Sequence, residues 1–136
     1  QIDGLQARVL LMQAKNQDNQ ELCRELDSVL QYLREILGAE VKEEPLGEVR
    51  LFGLEHSEIR RMSHNVKECF GIEHPIPDCT MGETALELNL LRTQVREAEL
   101  SAANAFPQGD PLGIIEHLNR LSSGIYILFC RVVSGL

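Results

Sequence analysis

A chain of 136 residues, 43% of them hydrophobic, is long enough to bury one sizeable core; with no tryptophan and few aromatics, that core is expected to be aliphatic. The formal net charge of −8 argues against a nucleic-acid binder, because phosphate neutralisation needs clustered lysine and arginine. The sequence shows no targeting signal and no uncharged run of the roughly eighteen residues a membrane span needs, and its four cysteines lack C-x-x-C spacing, so a cytoplasmic protein with reduced thiols is expected.

The chain opens on Gln1 rather than methionine, which predicts a piece of a longer protein. Five helices are predicted. The first runs from about Asp3 to Asn16, with Leu5, Val9, Leu10 and Met12 on its apolar side. Asn19 is placed to cap a second helix whose stripe is Leu22, Leu26, Val29, Leu30, Leu33 and Leu37, with Gly38 just past its end. Glu40 to Gly53 is acidic, holds Pro45 and Gly47, and reads as a loop. Ser57 is the expected cap of a third helix ending near Phe70 and Gly71. Ile72 to Gly82 carries Pro75 and Pro77 and should be extended or turning. A fourth helix follows from about Glu83 to Phe106. Asp110 then caps a last helix with Pro111 at its first position and a seam of Ile114, Leu118, Leu121, Ile125, Leu128 and Val132. Between Ile125 and Cys130 that helix is apolar all round, which predicts a central position in a bundle or a subunit interface.

The fourth helix carries the densest chemistry. Leu88, Leu91, Val95 and Ala98 form its buried stripe, and Arg92, Arg96 and Glu99 lie one position around from it. Two arginines one turn apart repel unless an anion neutralises them. Their planar forks suit phosphate or carboxylate. The plain alternative is a solvated flank with an Arg96–Glu99 pair. On the last helix, Asn119 and Ser122 share a face beside Leu118 and Leu121; a carboxamide there either reads a base or ribose hydroxyl or bonds to another helix. His64, Cys69, His74 and Cys79 offer metal-binding groups, but their five-residue steps match no common zinc spacing, and no metal site is expected. No glycine-rich phosphate loop or nucleophile elbow is present. Asp3 is a lone acid on a helical flank.

Arg92-x-x-x-Arg96-x-x-Glu99, followed twenty residues later by Asn119-Arg120-Leu121-Ser122, resembles the signature of ATP:cob(I)alamin adenosyltransferases, and of their ethanolamine-utilisation type in particular. Asn89-Leu90-Leu91-Arg92-Thr93, Ser122-Ser123, Glu44-Pro45-Leu46, Gly53-Leu54 and Met62-Ser63-His64 carry the likeness to that branch. The likeness is strong over Gly82 to Tyr126 and loose elsewhere.

The resemblance implies an all-α five-helix bundle occupying 1–136 as one domain, a homotrimer with active sites between subunits, and transfer of the 5′-deoxyadenosyl group from ATP to the cobalt of cob(I)alamin. It implies ATP with Mg2+ or another divalent metal, and a corrinoid-dependent ammonia-lyase or a reductase as partners. Arg92 and Arg96 would meet the triphosphate or bridge to an acid of the neighbouring subunit, Glu99 would orient an arginine or contact the nucleoside, Asn119 would contact the nucleotide, and Asp3 would pair with Arg92 across the interface. The family's phenylalanine that displaces the lower axial ligand falls near Ile76, with Phe70 and Ile72 as alternatives facing the corrinoid. The isoleucine near that phenylalanine position is one departure, and three more stand out. Ser123 replaces an aspartate, and neither the glycine- and threonine-rich phosphate-binding residues nor the cysteine metal motif that precede the bundle in other members lies in these 136 residues. The competing reading is an oligomeric helical interaction module whose arginines make only inter-subunit salt bridges.

Overall fold

The computed structural model describes residues 1–136. The chain is all-helical: α1 (Ile2–Lys15), α2 (Gln20–Lys42), α3 (His56–His64), α4 (Val66–Phe70), α5 (Glu83–Ala105) and α6 (Ile114–Ser134), with a 3-10 turn at Cys79–Met81. Six helices replace the five expected because the third is broken. Asn65 leaves helical geometry at φ −130° and ψ 50°, and its side-chain Nδ2 donates to the Arg61 carbonyl at 2.7 Å, so the chain restarts as α4.

The caps explain the other boundaries. Asn19 accepts from the Leu22 amide at 3.1 Å, as expected. Gly38 does not end α2; the helix runs on to Lys42 because Ala39 is buried, and Glu43 takes the left-handed position instead. Glu55, not Ser57, opens α3 through a capping box with Glu58. Asp110 does serve α6, but from a distance. Its two carboxylate oxygens accept from Ile115 and Glu116 at 3.1 and 3.0 Å across a turn that leaves Pro111 outside the helix.

Twenty-eight buried residues form one apolar cluster. The stripes of α2, α5 and α6 fill it, with Ile2, Leu5, Val9 and Met12 of α1; Leu10 points outward instead, at 48% exposure. The helix α6 is the hub, with α2, α3, α4 and α5 all packed on it. Ile125, Ile127, Leu128, Phe129 and Cys130 are consumed by the chain's own core. That apolar run therefore does not supply a subunit interface. The α2–α3 connection folds back onto the bundle. Leu46 donates to the Leu112 carbonyl at 2.9 Å, the Phe52 amide to the Ser28 hydroxyl at 2.8 Å, and buried Leu51 lies over Gly124 of α6.

Candidate functional site

The helix α5 packs its Leu88–Ala98 stripe against the core, and this turns Arg92, Arg96 and Glu99 onto its flank. There they line one open groove of about 570 Å³ with Thr93, Glu97, Leu100 and Ala103. Neither arginine forms an ion pair, and the Arg96–Glu99 pair of the plain alternative is absent. Arg92 is half-buried, its Nε and Nη2 donating to Asn89 Oδ1 at 3.3 and 3.0 Å and its guanidinium 5.9 Å from the Tyr126 ring centre. Arg96 is exposed.

Glu99 ties the groove to α6. Its Oε2 accepts from Asn119 Nδ2 at 3.3 Å, while its Oε1 is shielded from solvent and has no partner. A carboxylate oxygen left in that state is costly unless something donates to it. Ser122, the other residue of the expected Asn119 face, is buried and donates to the Asn119 carbonyl at 2.9 Å, so it supports α6 and does not reach outward.

The remaining expected residues lie elsewhere. Asp3 is exposed at the start of α1, in a cleft with Glu40 and Glu43, and pairs with no cation of its own chain. Phe70 is part of the core, Ile72 is partly buried against it, and Ile76 is 83% exposed. His64, Cys69, His74 and Cys79 do not converge. His74 bonds to Tyr126, Cys69 Sγ accepts from Arg61 at 3.9 Å, and no three metal-binding groups come together.

The geometry gives roles to two residues to which the sequence pattern assigned none. Asn89 and Tyr126 hold the Arg92 side chain. The Tyr126 hydroxyl titrates high, at about 12, chiefly because burial disfavours its anion, with the Cys130 thiol adding to the rise. Tyr126 lies seven residues after Asn119, two turns along the same face, and that spacing was the available signal. A second polar cluster joins Tyr32 and His117 through a 2.6 Å hydrogen bond, beside Arg120 and His56. Burial pushes Tyr32 up to about 12 and His117 down. None of these lines the arginine groove.

A family model described as cobalamin adenosyltransferase matches residues 1–132, nearly the whole chain and every groove residue. The chain belongs to the cobalamin adenosyltransferase family. The match falls on the ethanolamine-utilisation type to which the residues pointed. The corrinoid adenosyltransferase EutT of Salmonella typhimurium is 37% identical over 106 residues, covering 75% of this chain and 40% of that protein. EutT of Escherichia coli K12 is 36% identical over the same length and shares. This adenosyltransferase-family chain thus spans 40% of the length of those curated relatives over the matched region. No solved structure matches it. No helix is long and apolar enough to cross a membrane.

Proposed function

We propose that the chain is the helical core of an ATP:cob(I)alamin adenosyltransferase and that the α5 groove receives the triphosphate end of ATP. The observation that carries this reading is the groove itself: two guanidinium groups without a carboxylate partner, beside a Glu99 oxygen that is shielded and unsatisfied. Cobalt(I) is a strong nucleophile, so no side-chain nucleophile is required. Cobalt attacks C5′, the cobalt–carbon bond forms as the C5′–O bond breaks, and triphosphate leaves with the electron pair. Arg92 and Arg96 meet the charge that grows on the departing oxygens. Glu99 and Asn119, already joined, accept from and donate to the nucleoside side of the groove.

Mg2+ enters with the nucleotide. The unpartnered Glu99 oxygen fits a water of its coordination shell, a chemistry that suits an oxygen-seeking ion. Exposed Ile76 and partly buried Ile72 offer an apolar edge for the corrinoid; Phe70 supports that edge from within the core.

A homotrimer follows the same reasoning. Leu100, 63% exposed, lines the groove beside the arginines, Leu90, 42% exposed, lies further round the outer face of α5, and Asp3 has no cation of its own. A neighbouring subunit covers the leucines and brings its Asp3 to Arg92. Four unpaired thiols suit the cytoplasm, where a reductase supplies the reduced corrinoid and a corrinoid-dependent ammonia-lyase uses the product.

The exposed leucines also favour the competing reading, an assembly module whose arginines serve only the interface. Arg96→Ala separates the two. A charge-assisted bond is worth about 1.5–3 kcal/mol, so the transferase reading expects ATP to bind about 10- to 100-fold more weakly by calorimetry, with sedimentation unchanged. Loss of the oligomer with nucleotide affinity intact establishes the module instead.

A further inference from the structure

The segment between α4 and α5 is held to the bundle by few ties. Residues 72–77 make no main-chain hydrogen bond, and Pro75 and Pro77 have no N–H to offer. Ile72 packs partly against the core, whereas Ile76 stands in solvent. Glu73 pairs with Lys67 at 3.0 Å, but both side chains are exposed, and such pairs contribute little. The specific tie is His74. Its Nδ1 shares a 2.6 Å hydrogen bond with the Tyr126 hydroxyl, and the two rings stack at 12° with centres 6.0 Å apart.

Tyr126 has a second neighbour of consequence. Its ring lies 5.9 Å from the Arg92 guanidinium, on the side chain that Asn89 holds from below. Buried Phe129 backs the ring at 6.3 Å between centres, so the tyrosine has little freedom to follow either contact. One rigid aromatic therefore touches both the apolar segment carrying Ile72 and Ile76 and the first arginine of the groove. The two contacts differ in kind: the segment is tied through the hydroxyl as well as by the stacked His74 ring, whereas the guanidinium meets the ring alone.

We propose that Tyr126 is a positioning residue that sets the 72–77 segment and Arg92 relative to one another, the hydroxyl governing the corrinoid side and the ring governing the triphosphate side. The inference rests on the transferase reading above and adds how the two subsites are kept in register. It predicts separable defects. Tyr126→Phe removes the hydroxyl and keeps the ring, so KM for the corrinoid rises about fivefold, the worth of one ordinary hydrogen bond, while KM for ATP stays unchanged. Tyr126→Leu also removes the ring, and KM for ATP then rises about threefold as well.

His74→Phe provides the same hydroxyl-side test from an exposed position that does not endanger folding. It should match Tyr126→Phe, and the double variant should be no worse than either single one. The measurement is steady-state adenosyl transfer by the purified full-length natural protein with both substrates varied. Corrinoid-selective effects in both single variants, without additivity, support the coupling. Unchanged constants, or KM values for both substrates rising together in Tyr126→Phe and His74→Phe, overturn it. Absence of cobalt–carbon bond formation by the full-length natural protein instead refutes the transferase reading, and is recognised before any variant is made.

Discussion

Glu99→Gln is the substitution for which structure and function predict opposite signs. The carboxylate has one oxygen on Asn119 at 3.3 Å, a long and weak bond, and one shielded oxygen with no donor. In the free protein, that second oxygen is a liability: an unsatisfied buried polar atom costs about 1–3 kcal/mol. Glutamine has the same shape. Its carbonyl keeps the Asn119 bond; its NH2 stands in the same shielded place with no acceptor of its own, so the gain is only that a neutral group, not a charge, is left unsatisfied there. Folding stability should therefore hold or rise by up to about 1 kcal/mol, the lower end of that cost. Nucleotide binding should move the other way, because the amide cannot accept the hydrogen bond that ATP or its metal-bound water donates there. Loss of a bond to a charged group predicts affinity about 10-fold lower or more. Thermal unfolding and ATP titration on one preparation decide the matter. A variant that is clearly less stable and binds ATP normally would show that Glu99 is a structural brace and that its free oxygen awaits nothing.

Two further outcomes follow from the packing and the titrating groups. A Cβ added at Gly124 falls 2.1 Å from Leu51 Cδ2, so Gly124→Ala should displace the folded-back α2–α3 connection. Overpacking costs about 1–3 kcal/mol and alanine returns about 1 kcal/mol of helix propensity, which leaves a net loss near 1 kcal/mol in denaturant titrations; a stabilised variant would contradict the tight approach of Leu51 to α6. His56 and His117 titrate below 6.5, mainly because burial disfavours the imidazolium, with the Arg120 charge adding to it. The unfolded chain therefore takes up more protons than the native one between those lowered values and 6.5, so stability from these groups is full above 6.5 and declines as pH falls below it. The melting temperature should drop on going from about pH 7.5 to about pH 5.5, less so in His117→Gln; an equal or steeper drop in the variant excludes His117 as a contributor.

Much of this architecture was legible in the sequence wherever a long stripe met a local stop signal. The bounds of α5 follow from its period of three and four and from Pro107 beyond it, and Asn19 caps α2 through the bond its side chain was expected to make. Where two local signals competed, packing decided. Gly38 looked like a terminus, but buried Ala39 one residue on keeps the helix going. Asn65 looked like one polar residue within a helix, and its side chain captures the Arg61 carbonyl and ends the helix. Leu10 was placed inward on spacing alone, yet neither α2 nor α5 covers it. The arginines and Glu99 were readable as a cluster because one helix face carries them. Asn89, one turn before Arg92 on that helix, lay within reach of the same reading; the contact of Tyr126 with Arg92 did not, because spacing along α6 gives only its face, and how closely α5 and α6 approach is a quantity no single-helix pattern contains.

The position of α6 has a consequence for how the protein is made. It is the helix against which α2, α3, α4 and α5 rest, and it follows all of them along the chain. Synthesis proceeds at about 5–20 residues per second, so the apolar faces of those four helices are translated seconds before their common support exists. The waiting chain is a natural client for a chaperone that shields bare helices. A stop codon inside α6 should yield sticky, insoluble product, since the missing piece is the keystone and not a tail.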